Sequence, residues 1–141
     1  MKKNVFMAAI ASAVLLACGS TKVATDIAAL NGEWNIVEVE GNKINKGDSE
    51  NVPFLGFNTK ENRLYGNTGC NLLTGAIKAD AKSGSIDFSQ TGSTRMMCAD
   101  MKVERMVLEA LGKSTNYVVE GKDKMTLNDK QGKTIVVLQK R

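Results

Sequence analysis

The chain has 141 residues, of which 19 are basic and 15 acidic, and it contains no histidine. The missing imidazole excludes Ser-His-Asp and Cys-His nucleophilic arrangements, the helical zinc motif of metalloproteases and most catalytic zinc sites. The formal charge of +4 includes Lys2 and Lys3, and without them it falls to +2, 17 basic against 15 acidic, so the balance points to no particular partner.

The chain opens "MKKNVFMAAIASAVLLAC". Lys2 and Lys3 form a short positive region, and Val5 to Leu16 is an apolar run of the ~7–15 residues expected in a secretory signal. As a helix this run spans only about 18 Å, short of the ~30 Å hydrocarbon core, which disfavours a permanent membrane helix. Leu15-Leu16-Ala17-Cys18-Gly19 resembles the lipobox of bacterial lipoproteins. The resemblance implies removal of residues 1–17, a diacylglyceryl group on the Cys18 thiol and acylation, such as palmitate, of the new amino terminus. Several acyl chains, at ~0.8 kcal/mol per buried methylene, hold a protein on a bilayer where one chain does not. Gly19 in place of aspartate resembles the outer-membrane sorting pattern, so the expected location is the periplasm-facing surface of the outer membrane. Residues 18–25 then form the lipidated cysteine and a small, polar tether, "GSTKVAT".

Residues 26–141 are one domain's worth of chain, expected to be monomeric, with no internal repeat. "DIAALNGEW" predicts one helical turn capped by Asp26 and stopped at Gly32, leading into a strand in which Trp34, Ile36 and either Val37 or Val39 face inward. After the polar loop "GNKINKGDSEN", the runs "PFLGFN", "NRLYGN", "GAIKAD" and "SIDFSQ" predict short antiparallel strands bounded by turn residues. Pro53 sits at a strand entrance, where its missing donor is tolerated. "ADMKVERMVLEALGKS" changes period: Val103, Met106, Val107, Ala110 and Leu111 recur at helical spacing, with Asp100 as cap and Gly112 as stop. The spacing of Met96, Met97, Met101 and Met106 favours core packing over an adaptable binding face. The tail predicts three strands joined by turns at "GKD" and "DKQGK". Its lysines, Lys122, Lys124, Lys130, Lys133 and Lys140, alternate with apolar residues and read as a solvated strand face, so no nucleic acid is expected as a partner. The fold class is mainly β: about eight short strands closing into a barrel or nearly so, with one amphipathic helix inserted before the last three.

With Cys18 assigned to lipid, Cys70 and Cys98 remain as an even pair in an oxidising compartment, where a disulfide is the default. Closing that loop contributes about 3–4 kcal/mol in the chain-entropy account. The competing reading is a reactive thiol or redox couple. Against it stand a spacing far from Cys-x-x-Cys, the absence of histidine, and Arg95 as the one obvious cation nearby.

"LNGEW" at Leu30 to Trp34, "YGNTGCNLLTG" at Tyr65 to Gly75, "STRMMC" at Ser93 to Cys98, Glu104, Leu108 to Leu111 and the closing "KMTLND" and "KTIVVL" together resemble the META domain, also called the HslJ-like family. The resemblance covers nearly all of residues 26–141. It implies a compact antiparallel, barrel-like β domain with a helix packed at one end, a paired Cys70 and Cys98, and an envelope location. It implies no established catalytic activity, cofactor or metal.

Thr94 and Arg95 have two readings. In the structural one Thr94 bonds backbone in a turn and Arg95 pairs with Glu104 or Asp100. In the functional one Asn71, Thr94 and Arg95 present polar groups to an anionic or peptide ligand. The expected function is that of a non-enzymatic envelope lipoprotein acting in envelope maintenance or stress tolerance by binding a protein, peptide or hydrophobic partner. The alternatives are a thiol-dependent enzyme using Cys70 or Cys98, and a purely structural lipoprotein.

Overall fold

The computed structural model describes residues 26–141. The expected signal segment 1–17, Cys18 and the tether lie outside the described residues. Asp26 accepts a hydrogen bond from the Ala28 amide at 2.9 Å and starts a single 3-10 turn, Ile27–Leu30. The turn seats Leu30 in the core and aims its carbonyl at the indole N–H of Trp34, 2.7 Å away. Trp34 can therefore be fully buried with its one polar atom satisfied.

Strand β1, Gly32–Val39, is paired on both sides, with β11, Thr134–Lys140, and with β3, Phe54–Asn58. A bulge between Ile36 and Glu38 shifts its inward phase by one residue. That shift turns Val39 rather than Val37 into the core, so Trp34, Ile36 and Val39 are the buried positions. A two-residue strand, β2 (Asn42–Lys43), returns against the end of β1.

From β3 the chain meanders through β4, Arg63–Asn67, and β5, Leu72–Ala76. Three two-residue strands follow, β6 (Ala79–Asp80), β7 (Ser85–Ile86) and β8 (Gly92–Ser93). Helix α1 spans Lys102–Lys113, and β9 (Asn116–Glu120), β10 (Lys124–Asn128) and β11 complete the meander. The spatial order is β6-β7-β9-β10-β11-β1-β3-β4-β5-β8, antiparallel throughout.

This is a curled, mainly β half-barrel with its helix before the last three strands. The ladder does not close: β6 and β8 are its two ends. The predicted strands at β1, β3, β4 and β9–β11 are present, whereas "GAIKAD" and "SIDFSQ" hold only the end of β5 and the two-residue β6 and β7, and β5 begins earlier than expected, at Leu72. In "GAIKADAKSGSIDFSQTGS" the turn-forming residues interrupt pairing every few positions, so no long strand can bridge the ends. The chain between β7 and β8 crosses there instead, with Phe88 buried in the core and Gln90 and Thr91 close beside Gly75 of β5.

Helix α1 packs against β1 and β11 and buries Val103, Glu104, Val107, Ala110 and Leu111. Asp100 accepts from the Lys102 amide at 2.8 Å, although Met101 occupies the cap position. The helix runs through Gly112 and ends at Ser114, whose hydroxyl donates to the Ala110 carbonyl at 2.8 Å. Of the methionines expected inside, Met106 packs at the edge of the core, whereas Met96 and Met97 are 52% and 88% exposed. They precede the helix on a segment fastened by backbone and disulfide, so helical spacing does not govern them.

Candidate functional site

The candidate site is built on the turn between β4 and β5. Asn67 accepts from the Gly69 amide at 2.8 Å, and the Thr68 amide donates to the Asn71 carbonyl at 2.9 Å, closing a tight bend. Gly69 has a φ of +117°, and a Cβ there would stand 3.2 Å from Val103 Cγ1 of α1. Only glycine allows both this backbone and this approach to the helix.

Glu104, the third residue of α1, projects into that bend and is 2% exposed. Its Oε2 accepts from the Thr68 hydroxyl at 2.6 Å, the Cys70 amide at 3.0 Å and the Asn71 amide at 3.2 Å. Its Oε1 accepts from Asn71 Nδ2 at 3.0 Å. Burial pushes the carboxyl's pKa up, but the hydrogen bonds from Thr68, Asn71 and the Cys70 amide outweigh it and hold the pKa below its ordinary value. The first turn of α1 adds favourable dipole at the same place. A buried anion is thus kept charged by donors alone.

Asn71 is the pivot between this anion and the chain that leads to the helix. Its Oδ1 accepts from the Met96 amide at 2.6 Å and the Thr94 hydroxyl at 2.9 Å. Its Nδ2 donates to the Met96 carbonyl at 3.2 Å as well as to Glu104. Thr94 Oγ1 in turn accepts from the Leu72 amide at 3.0 Å. Cys70 and Cys98 are joined in a disulfide across 28 residues, with their Cα atoms 6.0 Å apart. Turn, helix start and the 92–98 segment are therefore fastened by one covalent bond and a buried polar network.

The structure brings Cys70, Cys98, Asn71 and Thr94 together, while Cys18 lies outside the described residues. Asn71 is buried with its amide wholly engaged by protein groups, so it organises the backbone instead of facing outward. Arg95 is exposed, and among the described residues it makes no ion pair; the expected pairing with Glu104 or Asp100 does not form, because Glu104 is turned inward onto the bend. Glu104 and Thr68 are the members that sequence reasoning assigned elsewhere or missed. The available signal was a carboxylate on the same helical stripe as Val107 and Leu111, where a charged residue needs a buried reason.

Over this base lies an open groove of about 270 Å³, bordered by Thr94, Arg95, Met97, Met101, Arg105 and Leu108. Met96, Met97 and Leu108 expose apolar surface around it. Glu104 is its one acidic lining residue, and both carboxylate oxygens are occupied from within. Among the described residues no group of three or more Cys, Asp or Glu side chains is placed to hold a metal ion. No described helix is long and apolar enough to cross a membrane. The chemistry on offer at the surface is thioether and aliphatic contact, two guanidinium groups and backbone.

The META domain family model matches residues 25–141. No curated protein matches the chain significantly. Among solved structures, the fold is similar to an NMR structure of a protein from Burkholderia xenovorans, with a TM-score of 0.63 at 19% identity over 100% of this chain and 99% of that one. A further NMR structure gives a TM-score of 0.57 at 20% identity, covering 79% of this chain and 89% of the other. The crystal structure of a DUF4847 family protein from Bacteroides vulgatus gives 0.53 at 14% identity, covering 78% and 92%. At these identities the likeness is one of fold.

Proposed function

The chain belongs to the META domain family, and from that premise we propose that it is a lipid-anchored envelope protein whose domain holds a partner without transforming it. The role is accessory, in envelope maintenance or stress tolerance, on the periplasmic side of the outer membrane. The observation that carries the binding role is the exposure of Arg95, Met96 and Met97 on a segment whose neighbours are fixed by a disulfide and a buried network. Large apolar side chains held outward on a rigid base are what a docking surface requires, and methionine adapts to varied partners. Anchoring through Cys18 is supported by the lipobox resemblance and the preceding apolar run. A thiol-dependent reaction would first need the Cys70–Cys98 bond reduced.

Palmitate labelling and envelope fractionation of the full chain and of Cys18→Ala test the anchor. Label and membrane retention that disappear in Cys18→Ala are expected; an unlabelled, soluble wild-type chain overturns it. For binding, a photoreactive residue at Met97 is compared in living cells with one at Lys130. Capture of the same envelope component at both positions, or at neither, contradicts a docking role for the groove.

A further inference from the structure

The segment from Gly92 to Met97 is held along one side only. Thr94 donates its amide to the Leu72 carbonyl at 3.0 Å, continuing the β5–β8 ladder past the last paired residue. One step further, where β5 has turned away, the Asn71 side chain takes the place of a strand: it accepts from the Met96 amide and donates to the Met96 carbonyl. Residues 94 and 96 thus point their backbone groups inward, and by the alternation of an antiparallel edge Ser93, Arg95 and Met97 point theirs outward. β8 is an end of the sheet, and no other described strand lies beyond it. The whole run from Gly92 to Met97 is exposed. The edge is short and carries Arg95, both features that blunt natural edges, but its backbone is held in register by Leu72 and Asn71.

We propose that this edge accepts an extended segment of a partner protein by β-strand addition, and that the segment carries acidic residues alternating with apolar ones. The inference rests on the docking role above and names its geometry. Backbone pairing to Ser93, Arg95 and Met97 supplies a ladder, and Met96, Met97, Leu72 and Leu108 supply apolar contact beside it. The acidic preference follows from Arg95 and Arg105, which border the groove without ion-pair partners among the described residues. A second copy of this chain is disfavoured, because two-fold antiparallel pairing of residues 93–97 sets Arg95 directly against Arg95.

The test is a titration of the full chain with a fluorescein-labelled eight-residue peptide of alternating glutamate and valine, and with its lysine counterpart. Saturable binding of the glutamate peptide is expected, with the lysine peptide weaker by about tenfold and the preference reversed in Arg95→Glu. Met97→Pro removes one outward donor and leaves every inward bond in place, so it is expected to weaken binding by about tenfold with melting unchanged. Met97→Ala, which keeps the donor, is expected to weaken it by about threefold. The proposal is overturned if the glutamate peptide does not bind, if Met97→Pro binds as wild type does, or if the peptide-free chain is a dimer that Met97→Pro dissociates. If crosslinking at Met97 captures an envelope partner while the peptide is ignored, docking stands and strand addition fails.

Discussion

Glu104 and Tyr117 each carry an oxygen into the interior, one at the start of α1 and the other on β9. The Glu104 carboxylate receives four hydrogen bonds from a bend shaped to supply them. The Tyr117 hydroxyl is buried without a protein partner among the described residues, and burial, with Asp80 and Asp26 nearby, raises its pKa. Burial alone therefore does not mark a polar group as structural. The number of neighbours that exist in order to meet it does, and by that measure the β4–β5 bend and the helix start form one unit around Glu104.

Breaking that unit at its centre gives the largest effect. Glu104→Ala strands the Cys70 and Asn71 amides and one proton of Asn71 Nδ2, while the Thr68 hydroxyl keeps the Asn71 carbonyl at 3.1 Å, and a loss of about 3–5 kcal/mol in chemical denaturation is expected. Removing the bridge as a Cys70→Ala, Cys98→Ala double variant is expected to cost about 2–4 kcal/mol in the same measurement. The charge itself has a pH signature. Because the folded carboxyl titrates below its ordinary value of 4.5, its stabilising contribution is complete above that pH and is lost as pH falls through the folded value. Denaturation of the wild type and of Glu104→Gln between neutral and acid pH should therefore converge at the acid end; a constant gap would show that the charge plays no part. At the other pole, Tyr117→Phe removes a hydroxyl that no described group meets, and stability is expected to stay level or rise by about 1 kcal/mol. A loss of more than about 1 kcal/mol there would erase the contrast between the two sites.

The apolar periods of β1, β3, β4, α1 and the last three strands could be read from the sequence, because each buries one face and its neighbours alternate or recur accordingly. The pairing of Cys70 with Cys98 was legible from the cysteine count and the compartment the sequence leads one to expect. The bulge at Val37 was not, since it depends on the register of β11 against β1. Nor was the failure of the ladder to close, because two-residue strands leave almost no periodic trace. At the candidate site, Asn71 and Thr94 were picked out but their partners were not. A side-chain amide that replaces a missing strand is a tertiary arrangement, and Glu104 looked like a partner for Arg95 although the bend takes both of its oxygens. The exposure of Met96 and Met97 was hidden for a related reason: helical spacing continued on paper into a segment that the disulfide and Asn71 hold out of the helix.

Residue-resolved amide hydrogen exchange over 92–97 in the full chain tests most directly the claim that Asn71 and the bridge hold an open, ordered edge. Slow exchange is predicted at Thr94 and Met96 and fast exchange at Ser93, Arg95 and Met97, with Met96 alone losing protection in Asn71→Ala. Uniformly fast exchange across the segment, or protection at Arg95 equal to that at Met96, would contradict it.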